Sequence, residues 1–245
     1  MSRLLHFGDI VAMDAYLYPD KVGARDLTRS LTFREWNDRS CKLANALVGL
    51  GLEKGDRIAV LASNCLEWME IYAAVAKAGL VMVPINFRLV GPEVQYIVEN
   101  SEAKAVIVQD DLLDRLEITR AERLIAEDKH IHFGGKTPAG YRSYEDVIAA
   151  GARSEPSIET GPHDPYALLY TSGTTGKPKG VIRTNGGLVL STYLLLADWG
   201  FSRRIRVFSL CRCATRTRFG SHTYSPLAAR APASTTGKAS IRSIC

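Results

Sequence analysis

Short apolar runs alternate with amphipathic stretches along most of this 245-residue chain. Residues 9–18 place Ile10, Met13, Tyr16 and Leu17 at helical spacing. Thr32 and Glu35 form a capping box for a second helix. Its stripe of Trp36, Leu43, Leu47 and Leu50 belongs to a core, and Gly51 ends it. Ile58–Leu61, Leu80–Val83 and Ala105–Val108 are continuous apolar runs, the pattern of strands buried on both faces. Between them, Ser63 or Asn64 caps a helix running through Ala78, and Pro92-Glu93 opens another to Glu99. Asp111 to Ala126 reads as a charged helix, and 134–143 and 151–165 as loops rich in Gly, Pro and Ser. Tyr166–Thr171 and Val181-Ile182 read as strands, and Asn185 to Trp199 as the last helix. Strands alternating with helices predict an α/β fold whose largely parallel sheet is flanked by helices, with right-handed crossovers.

The string between the last two strands carries the chemistry. Tyr170-Thr171-Ser172-Gly173-Thr174-Thr175-Gly176-Lys177-Pro178-Lys179-Gly180 packs hydroxyls, glycines and two lysines into one turn. Glycines let backbone N–H groups approach an anion closely, and the hydroxyls add donors. Lys177 and Lys179 add positive charge, and Pro178 between them stiffens the turn. These residues suit a polyphosphate. A Walker A loop is excluded, because two residues rather than four separate Gly173 from Gly176 and Pro178 follows Lys177. Gly135-Lys136-Thr137 is excluded too, since His130 stands where the upstream glycine would fall.

The string resembles the phosphate-binding motif of the AMP-forming acyl-CoA synthetases and related adenylate-forming enzymes. Every fixed position from Tyr170 to Val181 is met, while Asn185 stands where the family often has His. The likeness begins near residue 9. It takes in Gly55-Asp56-Arg57-Ile58, the alanine-rich Ala73–Gly79 and the turn Pro84-Ile85-Asn86-Phe87-Arg88-Leu89, and it ends near residue 208. The resemblance implies that residues 1–202 form the N-terminal part of an adenylation domain. It also implies a ligase that joins a carboxylic acid to coenzyme A through an acyl-adenylate, using ATP and Mg2+. Thr171, Ser172, Gly173, Thr174, Thr175, Gly176 and Lys177 would hold the β- and γ-phosphates, with Lys179 and Gly180 completing the motif; the alternative for Lys179 is a structural or surface-facing lysine. Arg88 matches a family motif as well, where a structural role is expected.

Other parts of the family's pattern have no counterpart here: no aromatic-Gly-x-Thr-Glu string, no downstream ribose-binding Asp, no hinge and no lid lysine. The expectation is a truncated chain, inactive alone, with no complete catalytic set. The alternative is a non-catalytic nucleotide-binding fragment or one subunit of a split ligase. A fatty acid is the default substrate; aryl acids, carnitine-like acids and amino acids remain open.

Charge redirects one part of this picture. The net charge of +5 suggests nucleic acid until its distribution is seen. Residues 203–245 hold nine of the basic side chains and no Asp or Glu, so residues 1–202 keep 22 basic against 26 acidic ones and nucleic acid is not expected. The strand–helix alternation also stops near residue 203, which predicts a disordered, basic, non-native tail. A shifted reading frame accounts for it. Taking the third base of each codon with the first two of the next, Cys213–Phe219 can spell Cys-His-Ala-Asn-Ser-Val and Ala239–Ser243 can spell Phe-Asp-Pro-Glu. Both strings are similar to what the family carries downstream. Cys41, Cys65, Cys211, Cys213 and Cys245 have no framework spacing and point to a reducing cytoplasm. No metal site is expected from Cys211-x-Cys213 or from the scattered histidines. No run of about 18 apolar residues spans a membrane, and the first nine residues do not resemble a signal peptide.

Overall fold

The computed structural model describes residues 6–171 and 177–199. The expectations for 203–245, the basic tail and the Cys211-x-Cys213 pair among them, lie outside these residues.

Helix α1 (Phe7–Leu17) leads into a small antiparallel hairpin, β1 (Val22–Arg25) and β2 (Ser30–Thr32). Helix α2 (Phe33–Gly49) starts on the expected capping box. The Thr32 hydroxyl accepts from the Glu35 N–H at 3.2 Å, and the Glu35 carboxylate accepts from the Thr32 N–H at 2.8 Å. Gly51 follows in the left-handed region at φ 80°, a conformation glycine adopts without the Cβ penalty.

Strands β3 (Arg57–Leu61), β4 (Val81–Ile85), β5 (Ala105–Gln109), β6 (His130–Phe133), β7 (Arg142–Ser143), β8 (Pro165–Thr171) and β9 (Lys179–Thr184) form one sheet in the order β7-β6-β5-β3-β4-β8-β9. All pairs are parallel except β8–β9. Successive strand residues serve opposite faces. Ile58, Val60, Met82, Ile107, Ile131 and Ala167 join a core with α1, α2, α3 (Glu67–Lys77) and α6 (Tyr144–Ala150). Ala59, Leu61, Val83, Ile85, Val106 and Val108 join a second core under α4 (Gly91–Asn100). Helices therefore cover both faces of a mostly parallel sheet, as the apolar strands require.

Two local expectations are corrected. Neither Ser63 nor Asn64 caps α3. The Ser63 N–H and hydroxyl both donate to Gln109 Oε1, at 2.9 and 2.7 Å, tying the end of β3 to β5, and α3 starts later without a side-chain cap. The charged stretch 111–126 is not one helix. A 3-10 turn (Asp110–Leu116) passes into the short α5 (Glu117–Ala121), and the chain reverses at Arg123, φ 53°. Leu112, Leu116, Thr119 and Ile125 are buried along it, so the chain bends to keep one side on the sheet. His130 and His132 lie two apart on β6, both buried, edge-on to Tyr141 at 5.6 and 6.1 Å.

After α6, residues 151–164 run back across α2 and α3 to reach β8. Asn45 Nδ2 donates to the carbonyls of Ala152 and Ser154, and Lys77 pairs with Glu155. Lys54 pairs with Asp164 at 2.8 Å. Helix α7 (Asn185–Trp199) follows β9 with the boundaries expected from sequence.

Candidate functional site: the β8–β9 turn

Strand β8 runs parallel to β4, with Met82 opposite Ala167, so its last residue, Thr171, emerges at the carboxyl edge of the sheet. Ligands of open α/β sheets bind along that edge. The chain then turns and comes back as β9, with Tyr170 opposite Gly180 and Thr171 opposite Lys179. The string lies between two strands, as expected, and the second strand is antiparallel to the first.

Of the expected site residues, Thr171, Lys177, Lys179 and Gly180 are described and all four are exposed. Ser172, Gly173, Thr174, Thr175 and Gly176 lie outside the described residues. Lys177 and Lys179 have no carboxylate partner among the described residues; Lys177 Nζ instead stands 5.5 Å from the centroid of the Tyr96 ring. Two exposed ammonium groups near the mouth of one turn suit a multiply charged anion. Gly180 sits beneath Leu168: a Cβ there would lie 2.8 Å from Leu168 Cδ1 and 3.3 Å from its Cγ. A larger residue at 180 would push the Leu168 side chain aside, while Tyr170 Cζ, at 3.5 Å, would stay in ordinary contact.

Sequence reasoning did not find the residues that hold this turn. Tyr170 is partly buried against the second core, and its hydroxyl donates to Asn100 Oδ1 at 2.7 Å. Burial, and then the neighbouring Tyr96, push the Tyr170 hydroxyl above the ordinary tyrosine range. The Tyr96 hydroxyl donates to the Pro178 carbonyl at 3.2 Å. The available signal was the spacing of Tyr96 and Asn100, four apart on the side of α4 away from Val94, Ile97 and Val98. Arg88 stands in the turn after β4, where its N–H donates to Asn86 Oδ1 at 3.0 Å and its guanidinium lies 5.7 Å from the Phe87 ring.

Among the described residues, no group of three or more His, Cys, Asp or Glu side chains is placed to hold a metal ion. Nor is any described helix long and apolar enough to cross a membrane.

Comparison with known proteins finds relatives of this chain and of its fold. A long-chain-fatty-acid–CoA ligase of Mycobacterium tuberculosis, FadD13, is 36% identical over 156 residues, covering 63% of this chain and 30% of the relative. A feruloyl-CoA synthase of Amycolatopsis sp is 32% identical over 184 residues, covering 75% of this chain and 34% of the relative. Among solved structures, the anthranilate CoA ligase AuaEII in complex with anthranoyl-AMP superposes with a TM-score of 0.74 at 27% identity, covering 82% of this chain and 38% of that one. The chain spans about a third of the length of the curated relatives it matches. The family model for AMP-binding enzymes matches residues 11–237, so the chain belongs to the AMP-binding enzyme family.

Proposed function

We propose that this chain supplies the polyphosphate grip of an AMP-forming acyl-CoA ligase. The observation that carries the reading is the turn itself: Lys177 and Lys179, exposed, at the carboxyl edge of a parallel sheet, within an unbroken Tyr170–Gly180 string.

In the reaction proposed, a carboxylate oxygen attacks the α-phosphorus of ATP and pyrophosphate leaves; the thiol of coenzyme A then attacks the acyl carbon and AMP leaves. The first step brings an anion to a highly charged centre, so holding the phosphates and offsetting their charge is what a protein can contribute. Lys177 and Lys179 would neutralise the β- and γ-phosphates. Thr171, Ser172, Thr174 and Thr175 would donate hydroxyls, and Gly173, Gly176 and Gly180 would let the backbone come close. Mg2+, when bound, would shield the same phosphates; the described residues do not themselves supply a cage for it. No residue is assigned to coenzyme A.

A carboxylic acid is the second substrate, and a fatty acid is our first assignment, because the 36% identical relative is named for one. The sequence carries no aromatic-Gly-x-Thr-Glu string and no lid lysine, so the 245-residue chain alone is assigned binding rather than turnover. A reducing cytoplasm fits Cys41 and Cys65, which are both free thiols.

Calorimetric titration of the purified chain with ATP and with inorganic tripolyphosphate tests the grip. Lys177→Ala should weaken both by about tenfold, the effect of losing one charge-assisted contact. A wild-type chain that binds neither ligand at millimolar concentration sinks the reading. ATP–pyrophosphate exchange catalysed by the chain on its own would show that binding without turnover is the wrong assignment.

A further inference from the structure

Residues 171–177 are bracketed by Tyr170 and Pro178, and both brackets are tied to one helix. Tyr170 donates to Asn100 Oδ1 at 2.7 Å, and Pro178 accepts from the Tyr96 hydroxyl at 3.2 Å. Tyr96 and Asn100 stand four apart on α4 and so share one face, one turn from each other. The same Tyr96 ring lies beneath Lys177 Nζ, 5.5 Å from centroid to nitrogen. The helix itself is fixed from its other side, where Val94, Ile97 and Val98 are buried in the second core.

We infer that Tyr96 and Asn100 are positioning residues: they clamp both ends of the polyphosphate-binding turn against α4 and set where Lys177 stands. The inference rests on the reading of that turn as a phosphate site. Strand β8 pairs with β4 at Ala167, well before Thr171, and beyond that point the ladder bonds hold β8 and β9 together without fixing the angle of their tip to the rest of the protein. Two contacts to one helix, one at each end of the turn, fix position and angle together; one contact would leave a pivot. Lys177 gains most from this. Its four-carbon stem has many rotamers, and an aromatic face under the ammonium group favours a few of them before any anion arrives. A binding group whose support is itself packed loses less freedom on binding.

Four variants of the full chain test the clamp: Tyr96→Phe, Tyr96→Leu, Asn100→Ala and Tyr96→Leu combined with Lys177→Ala. Two readouts are needed. The first is amide hydrogen exchange in a peptide covering residues 170–180 without ligand. Tyr96→Leu and Asn100→Ala should each speed it about fivefold, the loss of one modest hydrogen bond, with β3 and β5 unchanged. The second is calorimetric affinity for inorganic tripolyphosphate. It should fall about tenfold in Tyr96→Leu and about threefold in Tyr96→Phe, which keeps the ring under Lys177. Lys177→Ala should cost much less in the Tyr96→Leu background than in the wild type, because a lysine that has lost its platform has less to lose. If Tyr96→Leu unfolds the protein, Tyr96→Phe and Asn100→Ala decide. Exchange that is unchanged in residues 170–180, or Lys177→Ala costing the same in both backgrounds, overturns the clamp. A wild-type chain that ignores tripolyphosphate overturns the phosphate reading instead, and the clamp then stands or falls on exchange alone.

Discussion

Arg39 on α2 grips Glu70 on α3 with two parallel donors, Nε to Oε1 at 2.7 Å and Nη2 to Oε2 at 3.1 Å. Glu70 is 3% exposed and also accepts from the Tyr144 hydroxyl at 2.9 Å, while Arg39 reaches on to Glu145. Burial pushes the Glu70 carboxyl above its ordinary range; Arg39 and Tyr144 pull it back. Removing Arg39 leaves a buried carboxylate without its cation. Arg39→Ala is expected to lower unfolding free energy by about 3 kcal/mol, the scale for breaking a buried pair. Tyr144→Phe removes one neutral donor and should cost about half as much. Urea unfolding of both variants checks this; a loss below about 1 kcal/mol for Arg39→Ala would show that the network is dispensable.

A second buried charge holds the segment before the phosphate turn. The Lys77 side chain is 1% exposed, and its ammonium meets the Glu155 carboxylate at 2.5 Å. Partial burial raises the Glu155 carboxyl, but Lys77 outweighs it and the group sits below its ordinary range. Glu155→Gln keeps the shape and removes the charge. We expect about 2 kcal/mol of destabilisation and faster tryptic cleavage at the nearby exposed Arg153. Unchanged cleavage would mean that Asn45, through Ala152 and Ser154, secures the segment without help.

Asp14 on α1 should give the protein a pH dependence of unusual sign. It is 3% exposed, and burial pushes its carboxyl from 3.8 to about 7, with Lys21 pulling the other way. The folded protein therefore holds this proton more tightly than the unfolded chain does. The stabilisation is fully present below pH 3.8 and is lost as pH rises through about 7. Asp14→Asn keeps an uncharged side chain throughout. The melting temperature of the variant minus that of the wild type should rise between pH 4 and 7; a difference that stays level across that range excludes Asp14 as the source.

Much of the architecture is legible in the sequence because the strands are apolar on both faces. Ile58–Leu61, Leu80–Val83 and Ala105–Val108 announce a parallel sheet without any partner in view. The Thr32–Glu35 pair marks a helix start to the residue. What escapes is short or mixed. Strand β6 is written His-Ile-His-Phe, and two buried histidines make it read as polar. Helix α6 has seven residues, too few for a periodicity to repeat, and β1, β2 and β7 are shorter still. The phosphate turn is legible as a string, since its chemistry is local. Its supports are not, because Tyr96 and Asn100 lie far upstream and only the pairing of β4 with β8 brings α4 beside the turn.

That pairing also bears on how the chain emerges from the ribosome. Strand β4 lies between β3 and β8, and Met82 waits for a partner, Ala167, that is made only after three more strands have been added on the sheet's other side. Throughout that interval one side of Val81–Ile85 is an open strand edge, almost wholly apolar, of the kind that recruits other chains. Within it stands Pro84, paired in register with Val60. Proline has no N–H to offer a passing strand. Replacing it would leave the finished fold its neighbours while making the nascent one stickier, so this position bears on yield during synthesis more than on the stability of what is finally made.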